Sequence, residues 1–210
     1  MATITLYRPV GPSELALIEA SGWTAFPPRL PEQPIFYPVL NAPYAIKIAR
    51  DWNTKNEMRA GYVTEFEVED DYVSRFEPHI VGSHEHEELW VPAEELAEFN
   101  THVQGKIRVI EAYFGEGFTG LIGEETNFAG RDTVEQFLVV EDLWRHSLFD
   151  LGHEMWHQRL HIFLRFPFWM QHDFTGFGVS NEWRYWVLAG VCGMYHHFFS
   201  DTWLCYEEHL

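Results

Sequence analysis

The chain has 210 residues, 17% of them aromatic, two cysteines and a formal net charge of −18. Such a length and aromatic content bury a substantial core, which excludes a disordered chain. The acidity, with no run of Lys and Arg, argues against nucleic acid as a partner, because that binding needs clustered cations to displace counterions.

In chain order, residues 4–7 form a short apolar run suited to a strand. Pro12-Ser13-Glu14 starts a helix carrying Leu15, Leu17 and Ile18 and closing at Gly22. Residues 35–40 read as a second strand. Asn41 suits a helix cap with Pro43 in the first turn, and Tyr44, Ala45, Ile48 and Ala49 lie on one side of the helix that follows. Residues 62–68 alternate as a third strand, Leu89-Trp90-Val91 is short and apolar, residues 92–99 form a short acidic helix, and residues 107–113 a closing strand. Composition shifts near residue 116: every lysine precedes it, and Gly115-Glu116-Gly117-Phe118-Thr119-Gly120 is a glycine-rich hinge. Beyond the hinge, Asp132 caps a helix running to about residue 146. A second helix spans 147–166 and stops before Pro167, and Asn181 starts a third that reaches about residue 199. The expected organisation is α+β: a mixed domain over residues 1–115 and a helical domain, rich in aromatics and histidine, over residues 116–210. No apolar run approaches the roughly 20 residues that cross a bilayer. The opening MATITLYRPVGPSE lacks a basic stretch followed by an apolar one. A cytoplasmic protein with no membrane partner and reduced thiols at Cys192 and Cys205 is therefore expected.

Three segments of the first half carry candidate chemistry. Arg8 ends the opening strand. Tyr37 lies on an aromatic strand leading to Asn41 and Tyr44, and Glu88 lies beside a late strand. A cation suits the phosphates or ribose of a dinucleotide, and an aromatic ring packs on a nicotinamide. A carboxylate offsets the positive charge that develops when a ribose–nicotinamide bond breaks through an oxocarbenium-like state.

The order of cation, aromatic and carboxylate along the strands is similar to that of ADP-ribosyltransferase-type domains. The segments LYRPVGPSELALIEASGW, FPPRLPEQPIFYPVLNAPYAIKIARDWN, GYVTEFEV and ELWVPAEELAEFN, spread over about residues 3–114, resemble a family of small bacterial proteins labelled ADP-ribosylation/J-crystallin. That resemblance implies an ADP-ribosyltransferase-like split antiparallel sheet and NAD as the bound cofactor. It further implies transfer of ADP-ribose to a protein or other macromolecular acceptor, or hydrolysis of NAD. Carried over, Arg8, Tyr37, Asn41 and Tyr44 become the NAD-binding residues and Glu88 the catalytic carboxylate. Many transferases place Glu or Gln two residues before that carboxylate; this chain has His86 there, which leaves the acceptor open.

Two other readings stand beside this one. The acidity suits a non-enzymatic immunity-type protein that binds a basic partner. In the second half His153-Glu154-Met155-Trp156-His157 is an H-E-x-x-H string, which would make His153 and His157 zinc ligands and Glu154 a base. His161 extends that face, and His172, Asp173, His196 and His197 are the available third ligands. Plain helix-face histidines are the weightier reading, and zinc is the lesser cofactor. Trp23, Phe26, Trp52 and Trp90 line a pocket or, with more weight, pack the core.

Overall fold

The computed structural model describes residues 2–82, 86–121 and 126–210. Its contacts divide the chain into two units, residues 1–116 and 117–210. The protein is α+β: among the described residues the antiparallel sheets lie in the first unit, and the C-terminal region is helical.

In the first unit β1 (Thr3–Val10) leads into α1 (Pro12–Ala20), which ends in Ser21 and a left-handed Gly22. The expected strand over residues 35–40 is broken. Only β2 (Ile35–Phe36) forms a ladder, and Val39 makes isolated bridges. Pro38 explains the interruption, because it has no N–H to give to a ladder. Helix α2 (Ala42–Asp51) is capped by Asn41, whose Oδ1 accepts from the Tyr44 N–H at 2.9 Å. The long strand β3 (Ala60–Glu69) is followed by the short helix α3 (Asp70–Val73), then β4 (Pro78–Ile80), β5 (Glu87–Leu89) and β6 (Val91–Pro92). A 3-10 turn precedes α4 (Leu96–Thr101), and β7 (Val103–Phe114) closes the unit.

The main sheet has the order β1-β3-β7, antiparallel throughout. Alternation along the strands separates two cores. On the face of Leu6 and Phe66, the rings of Phe26, Phe36, Phe66 and Phe99 pack at centroid distances of 4.7 to 6.3 Å. On the other face α2 lays Tyr44, Ala45 and Ala49 against Val39 and Val63. Helix α2 approaches the sheet closely because residue 61 is glycine. A Cβ there would stand 2.8 Å from Asn53 Cβ and 2.9 Å from the Ala49 carbonyl carbon. Val39 exchanges backbone bonds with Tyr7, 2.8 and 2.9 Å, while Leu40 and Pro38 bond to Glu87 and Leu89 of β5. The segment around Val39 therefore ties β1 to β5, and the small β4–β5 ladder hangs from that tie.

The second unit contains α5 (Thr133–His146), α6 (Leu148–His157), α7 (Arg159–Gln171) and α8 (Asn181–Phe198). Asp132 and Glu135 form a reciprocal capping box at the start of α5: Asp132 Oδ1 accepts from the Glu135 N–H at 2.9 Å, and Glu135 Oε2 from the Asp132 N–H at 3.0 Å. Asp132→Ala is expected to lower stability by about 1 kcal/mol, read as a shift in denaturant midpoint with an unchanged slope.

The single helix expected over residues 147–166 is instead two, broken at Gln158, and Pro167 sits inside α7 rather than ending it. Burial decides this. Phe163, Phe166 and Trp169 are each at most 1% exposed, and Trp169 donates its indole N–H to the Thr133 carbonyl at 2.8 Å. Holding that row of rings in the core outweighs the local cost of a proline that has no N–H to give to the helical ladder. Ser180 is the N-cap of α8, one residue before the expected Asn181, and Asp173 accepts from the Thr175 N–H in a turn. Among the described residues, no helix is long and apolar enough to cross a membrane.

Candidate functional site

A cavity of about 390 Å³ opens in the first unit where Val39 ties β1 to β5. Its walls include Arg8, Tyr37, Tyr44, Trp52, Glu88 and Trp90, so four of the five expected site residues share one space. Each is placed by a different element. Arg8 is near the end of β1, Tyr37 follows β2, Tyr44 lies in the first turn of α2, and Glu88 is the middle residue of β5. Helix geometry adds two more, since Ile48 and Trp52 follow Tyr44 at successive i+4 steps and line the same wall. The fifth expected residue, Asn41, is not in the wall; its side chain caps α2. Of the four other aromatics considered, Trp52 and Trp90 line the cavity, while Trp23 and Phe26 are core, 5% and 2% exposed.

Arg8 is buried and heavily engaged. Its Nε and Nη2 donate to the two carboxylate oxygens of Glu14 at 2.7 and 3.2 Å, and Nη1 donates to the Tyr37 carbonyl at 3.2 Å. The guanidinium carbon lies 4.6 Å from the centre of the Phe36 ring. Such a forked pair fixes the cation's position and offsets its charge. Arg29 shares the same carboxylate at 3.8 Å, and its own Nε is buried with no hydrogen-bond acceptor among the described residues. Burial, and then the neighbouring Arg8, pull the Arg29 guanidinium below its ordinary value. Glu14 and Arg29 escaped the sequence reading. Glu14 looks like a first-turn helix acid, and Arg29 sits in a proline-rich segment with no periodic signal.

On the other wall, Glu88 Oε1 accepts from the Trp90 indole N–H at 2.9 Å, an i+2 pair on one side of the chain. The Trp90 ring stacks on His79 at 4.2 Å and meets Tyr37 edge-on at 6.1 Å. Tyr44 stacks on His86 at 4.3 Å. His86 Nδ1 donates to the Val81 carbonyl, which leaves Nε2 to accept from Lys47 Nζ at 3.3 Å. His84 and Glu85, neighbours of this histidine in the sequence, lie outside the described residues. The cavity is thus an aromatic box with a carboxylate on one side and a carboxylate-paired arginine on the other.

Burial, and then the charge of Glu88, push the Tyr44 hydroxyl above its ordinary 10.0. The folded state holds this proton more tightly than the unfolded chain does. Its contribution to stability is complete below pH 10.0 and is lost as pH rises through the higher folded value. Tyr44→Phe is therefore expected to flatten the alkaline limb of the stability–pH curve, measured by chemical denaturation above pH 9.0.

In the second unit, His153 and His157 do share a face of α6, ring centres 4.4 Å apart, and both border an apolar groove with Leu148, Phe149, Trp156 and Phe198. Glu154 is turned elsewhere: it is buried, accepts from Asn127 Nδ2 and is absent from that groove. His161 belongs to the next helix. Among the described residues, the three-ligand grouping that could hold a metal is a different one, Cys192 with His196 and Glu207.

Comparison of the chain with family models, with curated proteins and with solved structures finds no match.

Proposed function

We propose that the first unit binds NAD+ in the cavity around Arg8, Tyr37, Tyr44 and Glu88 and cleaves its nicotinamide–ribose bond, passing ADP-ribose to a macromolecular acceptor or to water. The supporting observation is that those four residues, drawn from four separate segments, line one aromatic cavity with a carboxylate in its wall. Volumes of about 300–1,000 Å³ suit small-molecule sites. The nicotinamide of NAD+ is a pyridinium cation, and such cations are attracted to the faces of Trp and Tyr rings. As the glycosidic bond breaks, its electron pair moves onto the ring nitrogen, nicotinamide leaves neutral, and the ribose takes up positive charge. Glu88 is the carboxylate that offsets this charge. Arg8 keeps donor capacity on its Nη groups for a substrate oxygen, because three of its five N–H groups are engaged.

This reading carries a test in binding alone. Reduction to NADH removes the ring charge and leaves the rest of the dinucleotide unchanged. Calorimetric titration is expected to show NAD+ binding about 10-fold tighter than NADH, the 1–2 kcal/mol that a partly desolvated cation–π contact contributes. Equal affinities would remove the pyridinium from the aromatic box.

The Arg8–Glu14 pair favours a second reading, because it offsets the cation that would attract phosphates. In it the box binds a cationic group without turning it over. Binding of a small organic cation in the box, with neither NAD+ binding nor nicotinamide release, would select this alternative.

A further inference from the structure

We propose that the second unit carries a zinc-binding site formed by Cys192, His196 and Glu207, with a fourth position open to water. Cys192 and His196 stand four residues apart on α8, hence on one helix face. Glu207 comes from the 3-10 turn near the end of the chain, which folds back onto that face. One donor atom from each of the three lies within 4.8 Å of the others. Glu207 Oε2 is the hub: it accepts from His196 Nε2 at 2.8 Å and from the Leu204 N–H at 2.7 Å, with Cys192 Sγ at 3.8 Å.

Thiolate, imidazole and carboxylate together are a zinc donor set, and soft sulfur beside nitrogen excludes magnesium and calcium. Zinc holds such ligands at about 2.0–2.3 Å in a tetrahedron, which places donor atoms about 3.3–3.8 Å apart. The sulfur–oxygen separation of 3.8 Å already meets this, and the 2.8 Å histidine–glutamate pair needs to part by only about 0.5 Å. On binding, the thiol proton leaves to solvent, and the imidazole offers its Nε2 lone pair with the proton on Nδ1. Thiolate and carboxylate then balance the two positive charges of the ion. The Leu204 N–H holds the carboxylate in place, the orienting role that outer-shell donors fill in zinc sites. His196 and Glu207 side chains are 31% and 16% exposed, so the cluster can be reached from solvent. This set is separate from the His153–His157 pair, which has no third ligand at comparable distance among the described residues.

The 210-residue chain, freed of metal with a chelator and titrated with zinc chloride in a calorimeter, is expected to bind one zinc per chain. Cys192→Ser and Glu207→Gln are expected to weaken binding by more than the roughly 100-fold that loss of an outer-shell partner brings. His153→Ala is expected to leave it unchanged. Cobalt(II) in place of zinc is expected to give a thiolate-to-metal absorption band that Cys192→Ser abolishes. Absence of zinc binding by the folded wild-type protein would overturn the proposal, and so would binding that follows His153 rather than Cys192. A measurement on the unaltered chain guards against variants that misfold: zinc is expected to protect Cys192 from iodoacetamide, read by peptide mass spectrometry. Equal alkylation with and without zinc overturns the site.

Discussion

Glu88→Gln is expected to cut nicotinamide release from NAD+ by about 100- to 1,000-fold, the scale at which removal of one preorganised electrostatic group slows a reaction. The substitution is close to isosteric, and its structural cost is small. The carboxylate's bond is one accepted from the Trp90 indole at 2.9 Å, and a glutamine carbonyl accepts the same bond. The aromatic walls stand on other elements: Tyr44 is carried by α2, Trp52 is its C-cap, and Tyr37 follows β2. What changes is one negative charge facing the place where, in the proposed reaction, positive charge develops. NAD+ affinity should therefore fall far less than the rate. A rate that survives the substitution removes Glu88 from the chemistry. A rate and an affinity that fall together make it a binding group instead.

Gly61→Ala is expected to destabilise the first unit by about 2–3 kcal/mol and to weaken ligand binding in the same protein. The added methyl meets the Ala49 carbonyl oxygen and carbon and Asn53 Cβ, so the obstruction is mostly backbone that no rotamer change relieves. Helix α2 must lift from β3 to admit it. The same helix carries Tyr44 and Ile48 into the cavity wall, with Trp52 as its C-cap, so lifting it moves three lining residues at once. Thermal unfolding with and without NAD+ separates the two effects: the melting temperature falls, and the ligand-induced rise in melting temperature shrinks. A melting temperature equal to wild type would mean that α2 does not rest on Gly61.

The part of the site legible in the sequence is the part carried by residue type and local geometry. Arg8, Tyr37 and Glu88 stood out by their order along the strands and Tyr44 by following Tyr37 into a helix, while Ile48 read only as part of one side of that helix. Asn41 was legible as a cap, and a cap is its role in the structure. Glu14 and Arg29 were not legible, because pairing between a helix's first turn, a proline-rich loop and a strand end is a tertiary choice that no periodicity announces. Prolines misled in both directions. Pro38 splits an apolar run that reads as continuous strand. Pro167, a strong stop signal locally, is carried inside α7 because the rings around it bury so well. The Cys192–His196 spacing is visible on one helix, but its third member lies 11 residues beyond His196 and comes near only when the chain folds back.

The position of β3 in the middle of its sheet also shapes how the chain emerges during synthesis. β1 lies behind it in the sequence and can pair with it as soon as residue 69 clears the ribosome, whereas β7 follows only with residues 103–114. Until then one edge of a ten-residue strand is bare, and bare edges recruit neighbouring chains. Glu65, Glu67 and Glu69 alternate along that strand, so two nascent copies would bring like charges together on the same ladder.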